Sequence, residues 1–220
     1  MHINIQEDIM KKKLISLLSS LTLTLIYSVT INVPGTYSTI QAGINAAVDG
    51  DIVQVAAGTY IEYINFNGKN ITVKTVEGAT IKGNSVYDAL SLVTFSGNEN
   101  NAKLSGFHLT DSYGIDYGGA IYCNNSSPTI TDVQISDVYS NWGALYCSNS
   151  NPTLTNVIIN NNTAAFGSAM NCNNSSPTLT NVTIAQNYAS AGSAVNSSNS
   201  SHPILLNCIL WNPSIGEISL

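Results

Sequence analysis

The sequence predicts an all-β fold, a parallel β-helix of roughly seven coils with a short helix closing its N-terminal end. The first observation behind this prediction is a repeat of 24 to 26 residues, marked by Ala120, Ala144, Ala169 and Ala194. The second is that each repeat holds three short apolar runs, the first of which alternates with polar residues, whereas helical repeats would need long Ala, Leu, Glu and Lys runs. The third is a surface poor in charge: only 9% of residues are charged and arginine is absent.

The first strand of each repeat alternates apolar and polar residues, so one face of it is predicted to line the core. Stacked coils would place its leading apolar residues in one interior file: Ile121, Leu145, Met170 and Val195. The second strand would send Ile130, Leu154, Leu179 and Leu205 inward, and the third Val133/Ile135, Val157/Ile159, Val182/Ile184 and Cys208/Leu210.

Asparagines recur at the turn after the first strand, at Asn125, Asn149, Asn174 and Asn199. Asparagine tolerates a left-handed backbone, and stacked side-chain amides can hydrogen-bond from one coil to the next. The column is therefore predicted to be structural, although several of its members lie in N-x-S/T sequons.

The first half of the chain is less regular but fits the same architecture. Ser38-Thr39-Ile40-Gln41 reads as a capping box, and Ile40, Ile44 and Val48 give one apolar face of a helix that would cover the first coil. Strands are predicted at Ile52–Val55, Ile61–Phe66 and Ile71–Val73.

The N-terminus has the features of an export signal. Lys11-Lys12-Lys13 precedes a short apolar stretch from Leu14 to Ile26, and Met10 is a candidate for the true start. The predicted organisation is a signal peptide over residues 1–28, an N-terminal strand and capping helix over 29–51, and a β-helix over 52–220 that is regular from about 104. The last coil shows no cap, which favours a chain that is the N-terminal piece of a longer protein.

An exported protein meets an oxidising environment in which cysteines can form disulfides, so the pairing of the cysteines must be predicted. Cys123, Cys147 and Cys172 share one repeat position, where the fourth repeat has Ser197. Side chains stacked in this way point in parallel, which favours free thiols in a buried column. A bridge between Cys123 and Cys147 is the alternative.

The charge balance excludes one class of partner. The net charge is −6, with 13 acidic residues against 7 lysines. Binding to a nucleic-acid backbone depends on clustered Lys and Arg, so nucleic acid is not an expected partner.

The opening of the β-helix resembles a known superfamily. Tyr37-Ser38-Thr39-Ile40-Gln41-Ala42-Gly43-Ile44, followed by Gly50-Asp51-Ile52-Val53-Gln54-Val55 and Gly58-Thr59-Tyr60, is similar to the start of secreted right-handed β-helix proteins with the pectin lyase-like fold. The segment Gly118-Gly119-Ala120-Ile121 and the Asn-rich segment Asn125–Thr131 resemble repeats of bacterial surface proteins in that superfamily, including polymorphic outer-membrane proteins. The resemblance implies a right-handed solenoid, but not an activity, because this fold carries lyases, hydrolases, esterases, adhesins and stalks.

Enzymes of that superfamily need residues that this sequence supplies poorly. Lyases of the fold typically use a basic Arg or Lys, and the four lysines of the mature chain lie outside the regular repeats. Hydrolases use clustered aspartates, for which the candidates are Asp111 and Asp137, one repeat apart, with Asp116 in the turn between them. These three carboxylates give a candidate Ca²⁺ site. The same column continues as Asn161 and Gln186, so a polar turn position is the alternative interpretation.

Aromatic residues give a second candidate site. Tyr122 and Tyr146 point outward in adjacent coils, and Tyr117, Tyr139 and Trp142 are predicted to lie in the loops leading into those strands. A surface tiled with aromatic rings suits the C–H face of a sugar. Ordinary strand packing is the alternative, because tyrosine is favoured on exposed strands.

No catalytic residues are predicted. His108 is expected to point outward, with no serine or second histidine repeating beside it, so the sequence gives no support for a nucleophile triad.

The predicted function is a secreted or bacterial cell-surface module, without catalytic activity, that binds extracellular glycans or acts as a scaffold or adhesin. Ca²⁺ is the only candidate cofactor, and no stable membrane span is expected after signal cleavage. The alternative is a polysaccharide lyase or glycosidase of the same fold.

Overall fold

The chain folds into a right-handed parallel β-helix of about seven turns with one short helix near its N-terminus, which confirms the predicted fold class. The computed structural model describes residues 10–11, 27–84, 90–114, 117–212 and 216–219. Most of the predicted signal peptide, residues 85–89 and Asp116 lie outside the described residues. None of the described helices has the length and apolar character needed to cross a membrane.

Strands are short and follow one another along the whole described chain. The helix α1 spans Ile40–Ala46. The first twelve strands are β1 Thr30–Val33, β2 Ile52–Val55, β3 Gly58–Ile61, β4 Ile64–Asn65, β5 Thr72–Lys82, β6 Val93–Phe95, β7 Lys103–Thr110, β8 Tyr113–Gly114, β9 Ile121–Asn124, β10 Thr129–Thr131, β11 Gln134–Ser136 and β12 Tyr139–Ser140. The next twelve are β13 Leu145–Ser148, β14 Thr153–Thr155, β15 Ile158–Asn160, β16 Thr163–Phe166, β17 Met170–Asn173, β18 Thr178–Thr180, β19 Thr183–Ala185, β20 Tyr188–Ala191, β21 Ser193–Ser198, β22 Ile204–Leu206, β23 Ile209–Trp211 and β24 Gly216–Ser219.

Three parallel sheets form the walls of the solenoid, because each strand pairs with its equivalent one coil away. One sheet of 13 strands holds β1–β3, β5 and β7 together with the second and third strands of every later coil. A sheet of seven strands runs from β4 through β6, β9, β13, β17 and β21 to β24. A third sheet of four strands, in the order β20-β16-β12-β8, was not predicted from the sequence.

The register of the seven-strand sheet confirms the predicted interior file. Ile121 pairs with Leu145, Leu145 with Met170, and Met170 with Val195. All four side chains are fully buried. Burial of apolar surface is the main stabilising term in such a fold, and a Leu or Ile side chain contributes about 1.5–3 kcal/mol when it leaves water.

The N-terminal cap differs in detail from the prediction. The residue that caps α1 is Thr39 rather than Ser38, because the Thr39 side chain accepts a hydrogen bond from the Ala42 N–H. Ile40 and Ile44 are buried against the first coil, whereas Val48 lies beyond the helix and is exposed. The first coil therefore needs only seven helical residues to cover it.

The turns depend on left-handed asparagines, as predicted. The column Asn125, Asn149, Asn174 and Asn199 has φ between 49° and 53°. A second exposed column is hydrogen-bonded throughout: the amide of each later member donates to the one before it, over 2.6–3.2 Å, along Asp132, Asn156, Asn181 and Asn207.

A third asparagine column lies inside the solenoid and was not predicted. Asn162, Asn187 and Asn212 are each about 98% buried and are linked by side-chain hydrogen bonds of 2.9 and 3.1 Å. Their amides also donate to main-chain carbonyls of the coil before. Glu217 ends the column by accepting from both the main chain and the side chain of Asn212.

A buried carboxylate starts a comparable column of serines. Glu99 accepts hydrogen bonds from the Ser126 hydroxyl and from the main-chain N–H groups of Gly68 and Gly97. Burial alone would raise the pKa of Glu99, but these donors outweigh it and the pKa is lowered. Glu99 therefore stays ionised at the head of the column, which continues through buried hydroxyls at Ser150, Ser175 and Ser201.

All four cysteines are free thiols, and three of them form the predicted buried column. Cys123, Cys147 and Cys172 pair in register in the seven-strand sheet. Burial raises the pKa of the Cys147 thiol well above its usual range, and the neighbouring thiols of Cys123 and Cys172 raise it further. Cys208 is less buried than the other three.

These environments predict two classes of thiol reactivity. In native buffer at neutral pH, only Cys208 should react with a thiol-specific reagent within minutes, because the three thiols of the column are fully buried and out of reach of the reagent. Denaturation should expose the remaining thiols, and the substitution Cys208→Ser should abolish the fast reaction. Rapid native labelling of Cys147, located by peptide mass mapping, would contradict the packed column.

Candidate functional site

Five aromatic rings contact one another on the outer wall of the solenoid, and we call them the aromatic cluster: Tyr117, Tyr122, Trp142, Tyr146 and Phe166. The rings of Tyr122 and Tyr146 are parallel within 6°, with centroids 5.8 Å apart. Tyr117 stacks on Tyr122 at 4.5 Å and lies 6.2 Å from Tyr146. Trp142 continues the cluster, 6.3 Å from Tyr146 and 5.3 Å from Phe166.

Two structural columns build this cluster. Tyr122 and Tyr146 are outward-facing residues of β9 and β13, directly paired across the sheet. The other three rings each precede a glycine shortly before such a strand, at Tyr117-Gly118, Trp142-Gly143 and Phe166-Gly167, with Phe166 as the last residue of β16.

The glycines let these loops lie close against the neighbouring coil. A Cβ atom added to Gly118 would lie 2.6 Å from the main-chain nitrogen of Tyr146, and one added to Gly143 would lie 2.3 Å from the carbonyl oxygen of Gly167. Atoms cannot approach so closely, so the loops need glycine there. Each aromatic–glycine pair thereby places a ring over the strand wall.

The environment of the rings keeps the Tyr122 hydroxyl neutral. Burial is the main factor that raises the pKa of Tyr122 to about 12, and the neighbouring Tyr117, Tyr146 and Cys123 raise it further. Tyr117, Trp142 and Phe166 are exposed by 47%, 40% and 42% of their surface. The cluster therefore presents aromatic rings and phenolic hydroxyls to solvent.

The structure brings together four of the five aromatic residues predicted to bind a ligand. Tyr117, Tyr122, Trp142 and Tyr146 belong to the aromatic cluster, whereas Tyr139 lies in β12 and contacts Tyr113, with ring centroids 5.8 Å apart. The predicted loop position of Tyr139 was wrong, because the third sheet was not expected. Phe166 was missed, although the aromatic–glycine pairs at 117, 142 and 166 carried the signal.

The acidic column has a simpler role in the described residues. Asp111 and Asp137 have φ of 52° and 56°, as turn residues of the same column. The carboxylate of Asp111 lies 3.2 Å from the Lys82 ammonium group, and that of Asp137 accepts from the Ser136 hydroxyl at 2.7 Å. Among the described residues, no three His, Cys, Asp or Glu side chains are placed to hold a metal ion. Because Asp116 lies outside them, the Ca²⁺ site stays a prediction.

His108 has a serine beside it, which corrects the sequence-based expectation. The Nε2 atom of His108 lies 2.8 Å from the Ser136 Oγ atom, which in turn donates to Asp137. A nucleophile triad needs histidine between serine and the acid, so that it can remove the serine proton. Here the serine lies in the middle and donates its proton to Asp137. These hydrogen bonds therefore orient His108 without activating a nucleophile.

Comparison of the chain with protein-family models, curated proteins and solved structures gave no match. The fold is therefore established by the structure itself.

Proposed function

We propose that this protein is a secreted or cell-surface β-helix module of the pectin lyase-like class that binds extracellular glycans without catalysing a reaction on them. The observation that carries the proposal is the aromatic cluster, in which partly exposed rings from three consecutive coils form one continuous surface.

Such a surface suits a sugar better than it suits other ligands. Aromatic rings pack against the apolar C–H face of a pyranose, and hydroxyls at their rims pair with the hydroxyls of the sugar. Contiguous exposed apolar area on a soluble protein typically marks a binding site. The same strands carry Asn124, Ser148 and Asn173 two residues further along the same face, and their side chains exchange hydrogen bonds with sugar hydroxyls as readily as with water.

Substitutions in the cluster test the proposal. The double variant Tyr122→Ala, Tyr146→Ala should bind its glycan at least tenfold more weakly than the wild type, because loss of two ring contacts removes about 1.4 kcal/mol or more. A glycan array identifies the binding polysaccharide, and affinity electrophoresis in gels that contain it measures the change. Tyr188→Ala is the matched control, since Tyr188 is exposed by 51% on the four-strand sheet and lies outside the cluster.

Two outcomes would contradict the proposal. The first is an unchanged affinity in the double variant, or an equal loss in the Tyr188→Ala control. The second is release of unsaturated products or new reducing ends from a polysaccharide, measured with and without calcium, which would favour the lyase or glycosidase alternative.

A further inference from the structure

One buried amide next to the aromatic cluster has an unused hydrogen-bond donor. Asn171 follows Tyr122 and Tyr146 in the same outward-facing column, with Tyr146 and Asn196 as its paired neighbours. It is 98% buried, and its Nδ2 atom has no hydrogen-bond partner among the residues that the structure describes.

An unpaired buried donor is costly, so it invites a functional explanation. Leaving a polar group desolvated and unsatisfied destabilises a fold, whereas an apolar side chain of the same size would not. The next residue of the column, Asn196, is only partly buried, and its amide oxygen accepts from the Ser219 hydroxyl at 2.8 Å.

Asn171 lies next to Tyr146 of the cluster, because the two residues are paired across the sheet. Asn171 occupies the position that a third stacked tyrosine would hold after Tyr146. A Cβ atom built on Gly143, the residue after Trp142, would lie 3.4 Å from the Asn171 main-chain nitrogen, so the main chain of this loop approaches Asn171. Trp142 and Phe166 are both exposed at the surface, and exposed side chains change rotamer within nanoseconds. A ligand would reach the amide if rotation of one of these rings opened a path from solvent.

The charge of the chain limits which ligand this donor meets. An N–H donor pairs with a hydroxyl or a carboxylate oxygen. The net charge is −6 and there is no arginine to form bidentate bonds with an acidic group, so polymers rich in uronate or sulfate are repelled. An uncharged sugar hydroxyl is the acceptor that remains.

We propose that the aromatic cluster binds neutral polysaccharides and that Asn171 selects them by donating a hydrogen bond from Nδ2 to a sugar hydroxyl. This inference rests on the proposed function and specifies its ligand class. It makes Asn171 a residue that is kept for binding at the expense of stability.

The variant Asn171→Leu separates these two roles. Its melting temperature should equal or exceed that of the wild type, because the unpaired donor is removed. Its affinity for a neutral polysaccharide, drawn from a panel of soluble glucan, mannan, galactan and xylan, should fall about tenfold. The control Asn196→Leu should keep the affinity and lose stability, because it removes the bond with Ser219.

A measurement on the wild type makes the test independent of folding in the variant. In ¹⁵N-labelled protein, the side-chain amide signals of Asn171 should shift on addition of an oligosaccharide of the bound polymer, whereas those of Asn181 should not. Unshifted Asn171 signals, or full affinity in a folded Asn171→Leu variant, would overturn the inference.

The panel also distinguishes failure of this inference from failure of the proposed function. If the wild type binds only uronate-rich or sulfated polymers, and the Tyr122→Ala, Tyr146→Ala variant loses that binding, the function stands and the neutral ligand class is wrong. If the wild type binds no polysaccharide of either kind, both are wrong.

Discussion

The substitution Asn187→Ala is expected to destabilise the solenoid by about 3–6 kcal/mol. Asn187 accepts from both the main-chain N–H and the side-chain amide of Asn162, and it donates to the carbonyls of Ile159 and Ala185. Its truncation leaves several buried groups without one of their partners, each at a cost of about 1–3 kcal/mol. Guanidinium unfolding followed by circular dichroism measures the loss.

An exposed asparagine in a hydrogen-bonded column provides the control. The side chain of Asn181 also hydrogen-bonds to its equivalents one coil away, Asn156 and Asn207, but it is exposed on the outside of the turn. The variant Asn181→Gly keeps the left-handed backbone available and should cost about 1 kcal/mol or less, because water replaces the lost partners. Equal effects of the two substitutions would show that burial of the inner column does not matter.

The repeat period predicts two features of the fold but not the inner asparagine column. The period predicted the register and therefore the interior file, because apolar residues at one repeat position must stack once the coils do. It also predicted the turn column at Asn125, where only a left-handed residue fits. The inner column could not be recognised, because its equivalents in earlier coils are Ser112, which is smaller than Asn162, and Val138, which is apolar.

A difference in loop length prevented the prediction of Phe166 as part of the candidate site. The aromatic–glycine pairs are separated by 25 and 24 residues, whereas the alanines after them are separated by 24 and 25, because the second loop is one residue shorter. Alignment on the alanines therefore left Phe166 out of register with Trp142. Only the folded structure, in which glycine holds each loop against the next coil, brings these rings into contact.

The role of these glycines leads to the second large effect. Gly143 has φ of +91°, and a Cβ atom on it would lie 2.3 Å from the Gly167 carbonyl oxygen. The variant Gly143→Ala should lower the free energy of unfolding by about 1–2 kcal/mol, because alanine is strained in a left-handed backbone. The loss should be larger still, because main chain must also move to relieve the clash. Since Trp142 is the preceding residue, glycan affinity should fall together with the melting temperature.

Gly50 separates backbone strain from the clash. Its φ of +90° matches that of Gly143, but a Cβ atom there would meet nothing within 4 Å. The variant Gly50→Ala should therefore show the cost of the left-handed backbone alone, about 1–2 kcal/mol, with unchanged glycan binding. If Gly143→Ala is no more destabilising than Gly50→Ala, the loop before β13 is not held against its neighbour. In that case stacking with Tyr146 and Phe166 positions the Trp142 ring. Substitution of those two rings, and not of the glycine, would then displace Trp142.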